Sequence, residues 1–174
     1  ALNDIEKKQL ERYFEQEIKP LLSTIIVGKK QPFPFLQNRE IYAVAVLETR
    51  SDKAKIGIIP CASRVFDRLV PVPGRSGYYM LAEELILHFL PMVFDKYRVQ
   101  EKSLIRITRN ADIDADSIYD EDLNYREHME EVVRQRRKLS PVRLEMTRTL
   151  DTGIIDRLCR VLELSENQVF MSQS

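Results

Sequence analysis

The run Gln31-Pro32-Phe33-Pro34-Phe35 constrains this chain more than any other string in it. Two prolines separated by a single residue fix φ and remove two backbone donors. Neither a regular helix nor a central strand can pass through such a segment. An extended, rigid connection is expected, with Phe33 and Phe35 as its anchors in the core. What precedes it has helical periodicity. Leu2, Ile5, Leu10, Tyr13, Phe14, Ile18 and Leu21 recur at steps of about three and four residues, with Glu and Lys between them. Asn3 or Asp4 can cap this helix, and Pro20 should end it.

Beyond the proline segment the pattern alternates. Residues 41–47 and 55–60 read as strands of a hairpin turned at Ser51-Asp52-Lys53, and residues 67–72 as a third strand. Residues 81–94 carry a broad apolar surface and read as a helix that Pro91 kinks or ends. Residues 97–99 and 104–108 read as two further strands. An acidic loop at 110–122 leads to a long charged helix at 123–139, stopped by Ser140-Pro141. Residues 142–147 alternate apolar and polar, which marks a strand buried on one face. A helix at 151–162 with Asp151 as N-cap and a short strand at 168–171 complete the order. The expectation is an α+β (mixed α/β) fold: one domain with a mixed sheet of several short strands and packed helices. Residues 1–22 would form an N-terminal helix leading into a domain at 23–174.

Composition narrows the function classes. Lys plus Arg is 27 and Asp plus Glu is 27, so the chain lacks the net positive charge of a dedicated nucleic-acid binder. Cys61 and Cys159 form no C-x-x-C pair and have no nearby His, which disfavours structural zinc. They fit two small buried side chains in a reducing cytoplasm. No apolar run approaches the ~18–20 residues of a membrane span. A start without Met and a stop just after a strand-like stretch read as a fragment of a longer protein.

No catalytic motif emerges. Gly28-Lys29-Lys30 lacks the upstream glycine and the hydroxyl residue of a P-loop, and five scattered glycines leave no room for a dinucleotide fingerprint. Asp112, Asp114 and Asp116 resemble the start of a calcium loop. Ser117 and Leu123 stand where its glycine and closing glutamate belong, so a solvated acidic loop is expected. His88 sits among Leu85, Leu87, Phe89 and Leu90 and reads as packed; His128, amid glutamates, reads as a surface residue. Arg134, Arg136, Arg137 and Lys138 can grip phosphate oxygens, or can complement a helix dipole and pair with Glu127, Glu130 and Glu131. Arg106 alternates out of an apolar strand. Arg109, at its end, is placed for an ion pair with Asp112 or Asp114.

Six strings, taken in order, resemble one family. They are Tyr13-Phe14-Glu15-Gln16-Glu17-Ile18-Lys19-Pro20, Pro32-Phe33-Pro34-Phe35-Leu36-Gln37-Asn38, the strand at 41–47, Arg68-Leu69-Val70-Pro71, Ile105-Arg106-Ile107-Thr108-Arg109-Asn110-Ala111-Asp112, and Pro141-Val142-Arg143-Leu144-Glu145. Together they are similar to the middle, or head, domain of bacterial polyphosphate kinases across about residues 13–170. Gln31 and Asn110 depart from the family's His and Asp, and Val27 to Lys30 offer no counterpart to its preceding Asp. The resemblance implies a parent enzyme that moves the terminal phosphate of ATP reversibly onto polyphosphate, with magnesium and a phosphohistidine. Those catalytic parts belong to other domains. This chain would then have no catalytic residue, bind no cofactor itself, and partner the other domains of its polypeptide and a second copy. Arg106, Arg109, Arg136 and Arg137 are the candidates for contact with polyphosphate.

Overall fold

The computed structural model describes residues 1–51, 54–61, 64–110, 125–127, 129–130 and 140–172. Helix α1 (Asp4–Tyr13) is capped by Asn3: its side-chain oxygen accepts from the Glu6 N–H at 2.8 Å, and Glu6 accepts from the Asn3 N–H at 2.8 Å. The expected single helix changes pitch before Pro20. A π-turn runs over Phe14–Ile18 and a 3-10 turn over Lys19–Leu21. The Lys19 N–H reaches back to the carbonyl of Phe14, and Pro20 has no N–H to continue the α ladder.

The main sheet has six strands in the order β1-β3-β2-β6-β7-β8. They are β1 (Ile25–Val27), β2 (Ile41–Glu48), β3 (Lys55–Pro60), β6 (Arg98–Arg109), β7 (Pro141–Met146) and β8 (Val169–Met171). All neighbours are antiparallel except β7 and β8, which run parallel and are joined by a crossover containing helix α4 (Thr152–Leu162). A separate hairpin pairs β4 (Leu69–Pro71) with β5 (Tyr79–Leu81). Two short helices follow, α2 (Ala82–His88) and α3 (Leu90–Val93).

Each face of the sheet has its own core. On one, Leu10, Phe14 and Ile18 join Leu85, Phe89, Leu90 and Phe94 over Ala43, Ala45 and Leu47 of β2. On the other, Leu158, Cys159 and Leu162 of α4, together with Leu36, cover Val44, Ile58, Ile105, Ile107 and Leu144. Burying each such aliphatic side chain contributes about 1.5–3 kcal/mol. Strands β2 and β3, sandwiched between the layers, are buried on both faces. Strand β7 is buried on alternate residues only. Gly57 is needed at one close approach: a Cβ there would lie 2.6 Å from the Phe94 ring.

The mixed α/β fold is as the sequence implies, with several local corrections. The strands expected at 97–99 and 104–108 are one 12-residue strand, β6. Val46 pairs Glu101 and Leu47 pairs Val99, so Gln100 bulges out and the ladder continues through a polar stretch. The helix expected over 81–94 breaks at Phe89 into α2 and α3, because Pro91 cannot bond back to Leu87. Strands β1 and β5, three residues each, carry no recognisable alternation and owe their form to pairing. The proline segment is extended as expected, but Phe35 is not a core anchor. The residue is 74% exposed, and Leu36, at 1%, is the buried residue beside partly buried Phe33. Both cysteines are buried and free. Burial pushes the Cys61 thiol up to about 12. The turn residues Asp52 and Lys53, most of the acidic loop and most of the charged helix at 123–139 lie outside the described residues.

Candidate functional site

Helix α2 packs over β2 and β6. Two clefts flank it. One, of about 210 Å³, opens over the β6–β7 ladder beside Arg68, Glu83, Arg106 and Glu145. The other, of about 190 Å³, lies toward α1 and is lined by Lys7, Glu84, His88, Lys102 and Arg148 over a floor that includes Leu10 and Phe89.

In the first cleft the charges are matched. Glu83, whose residue surface is 4% exposed, accepts from Nε and Nη2 of Arg68 at 3.0 and 2.8 Å. Arg106 stands directly opposite Glu145 in the register, and its Nε and Nη2 lie 3.0 and 2.9 Å from the same carboxylate oxygen. Arg143 reaches the other oxygen at 3.4 Å and lies 4.3 Å above the Phe170 ring. Arg106 is therefore already engaged, although its side chain stays 48% exposed.

Arg109 is held on the opposite side of the sheet. Its Nε and Nη2 donate to the Leu36 carbonyl at 2.9 and 2.7 Å, and its backbone N–H donates to Asn38 Oδ1 at 2.8 Å. The guanidinium lies 4.2 Å from the Phe35 ring centroid. Partial burial lowers the Arg109 pKa. This arginine thus clamps the proline segment to the sheet, and the structure does not bring it together with Arg106. The aspartates expected to pair with it, Asp112 and Asp114, lie outside the described residues, as do Arg136, Arg137 and His128.

The second cleft has a different balance. Lys102 Nζ donates to the His88 carbonyl at 3.3 Å and pairs with no carboxylate among the described residues. Arg148 meets Glu84 at 3.6 Å, and its backbone N–H donates to Ser103 Oγ at 3.0 Å, which fixes it next to Lys102. Burial first, then Arg148, lowers the Lys102 pKa. His88 is exposed rather than packed as expected; its ring meets Phe89 edge-on with centroids 4.8 Å apart. Desolvation on that side, then Lys102 and Lys7, lowers its pKa. These residues come from α1, α2, β6 and the segment after β7, so no local spacing in the sequence could have revealed them.

Among the described residues, no three His, Cys, Asp or Glu side chains are grouped to hold a metal ion. Both clefts fall below the ~300 Å³ at which pockets begin to enclose a drug-sized ligand. No helix among the described residues is long and apolar enough to cross a membrane.

A six-stranded mixed sheet with a separate core on each face, and charged clefts at its surface, defines a mixed α/β domain. The polyphosphate kinase middle domain matches residues 5–174. The polyphosphate kinase of Mycobacterium marinum (strain ATCC BAA-535 / M) is 31% identical over 97% of this chain and 24% of its own length. That of Halalkalibacterium halodurans is 33% identical over 99% of this chain and 25% of its own. The crystal structure of polyphosphate kinase from Porphyromonas gingivalis shares the fold with a TM-score of 0.69 at 20% identity, over 99% of this chain and 24% of that one. The chain belongs to the polyphosphate kinase family as its middle domain. It spans about a quarter of the length of the relatives it matches.

Proposed function

We propose that this chain is a non-catalytic middle domain whose parent enzyme reversibly transfers the terminal phosphate of ATP to polyphosphate through a phosphohistidine, with magnesium. The domain supports dimerisation and the substrate channel, in the cytoplasm, alongside the other domains of the same polypeptide. The match of residues 5–174 to the middle domain of that family carries this reading. The exposed face of the β4–β5 hairpin adds support: Leu69, Tyr79 and Leu81 present an apolar surface suited to a neighbouring domain. Arg106, Arg109, Arg136 and Arg137 remain the proposed contacts with the polymer, Arg106 having the more exposed guanidinium of the two described.

Calorimetry with polyphosphate of defined length, at low and moderate salt, tests the channel role, alongside an assay for ATP-dependent polyphosphate synthesis by the 174-residue chain. Expected are no turnover and salt-sensitive binding that Arg106→Ala, or neutralising Arg136 and Arg137, weakens. Synthesis by the chain alone would overturn the non-catalytic reading. No binding at either salt would leave a scaffold and dimer contact without a substrate role.

A further inference from the structure

The cleft between α1 and α2 is lined by more cationic than anionic side chains. Lys7, Lys102 and Arg148 converge there with a single carboxylate, Glu84, and that carboxylate faces Arg148. Lys7 lies 4.0 Å from Asp4, whose side chain is 96% exposed, so this pair is solvent-screened and weak. Lys102 spends one donor on a neutral carbonyl. The geometry is built rather than accidental in one respect. The ladder extends past β7, with Thr147 N–H donating to the Leu104 carbonyl and Arg148 N–H to the buried Ser103, and this carries Arg148 alongside Lys102.

We propose that this cleft binds a small phosphate-class oxyanion, gripped by Lys7, Lys102 and Arg148. Three charge-assisted donors over an apolar floor suit a compact, multiply charged anion. The volume of about 190 Å³ is that of about six liquid waters, enough for one or two phosphoryl groups and too small for a nucleotide. Burial first, and then the neighbouring cations, lower the pKa of Lys102 and His88; a bound anion relieves the second of these effects. Free phosphate, pyrophosphate and the end of a phosphate polymer share this chemistry.

The test is calorimetric titration of the 174-residue chain with pyrophosphate at low ionic strength. Lys102→Gln and Arg148→Gln are each expected to weaken binding about tenfold or more, the effect of losing one charge-assisted hydrogen bond. Arg160→Gln, an exposed cation on α4 across the sheet, should leave it unchanged. Glu84→Gln should tighten binding several-fold by freeing Arg148, a gain that misfolding cannot imitate. No binding, no loss in the Lys102 and Arg148 variants, or an equal loss in the Arg160 variant would overturn the site. Long-chain polyphosphate is titrated in parallel. Binding of pyrophosphate without the polymer would sink the substrate-channel reading and leave this site standing; binding of the polymer alone would do the reverse.

Discussion

The two ends of the six-stranded sheet are built differently. At the β3–β2 end every residue from Tyr42 to Leu47 and from Ile56 to Ile59 is buried or replaced by glycine, because helices press on one face and the proline segment with α4 on the other. At the β7–β8 end one face is sealed by α4, while the other leaves Arg106, Arg143, Glu145 and Phe170 in contact with solvent. Stability is therefore concentrated at one end. The other end tolerates charge and is free to meet ligands or neighbouring domains.

Substitutions can break this contrast. Phe14→Ala should have the largest effect. Phe14 is fully buried, stacks on Phe89 at 5.0 Å between centroids, and holds the π-turn against the sheet, so a loss of about 3–5 kcal/mol is expected in urea unfolding. Alkaline pH should act at the same end through Cys61. Its thiol pKa is raised to about 12 in the fold, so the folded state keeps a proton that the unfolded chain releases near the ordinary thiol value of 9.0. Stability from this group is complete below that value. It should fall by about 1.4 kcal/mol per pH unit as pH rises toward the folded pKa. Chemical denaturation from pH 8 upward, compared with Cys61→Ala, isolates that slope.

Gly57→Ala should cost about 1–3 kcal/mol, because the new methyl meets the ring of Phe94, itself only 3% exposed. Thermal unfolding reads it, and a neutral result would mean that Phe94 is not seated firmly. Arg143→Ala is expected to change stability by no more than about 1 kcal/mol, since its partner Glu145 keeps Arg106 and both arginines are about half exposed. A loss as large as that of Phe14→Ala would erase the distinction between the two ends.

Much of this contrast is legible in the chain. Ile41-Tyr42-Ala43-Val44-Ala45-Val46-Leu47 is continuously apolar and becomes a doubly buried strand, whereas Val142-Arg143-Leu144-Glu145-Met146 alternates and becomes a half-buried one. Asn3 and Asp151 serve as caps because the groups they bond lie within three residues. The short strands β1 and β5, the bulge at Gln100 and the exposure of Phe35 were not readable, since each depends on a partner distant in sequence. The candidate site was less legible than the fold. Arg106 and Arg109 stand three residues apart, yet one is spent on Glu145 across the ladder and the other on the Leu36 carbonyl beneath the sheet.

The sequence by itself determined the order of the longer helices and strands, the half-buried character of the late strand, and membership of the polyphosphate kinase family, because local periodicity, capping and ordered strings are properties of neighbouring residues. Only the tertiary structure decided where charge is satisfied and where it is left over. Lys7, Glu84, Lys102 and Arg148 meet because α1, α2 and the β6–β7 ladder pack around one cleft. The electrostatic balance at a point depends on distance through space, which chain order does not encode.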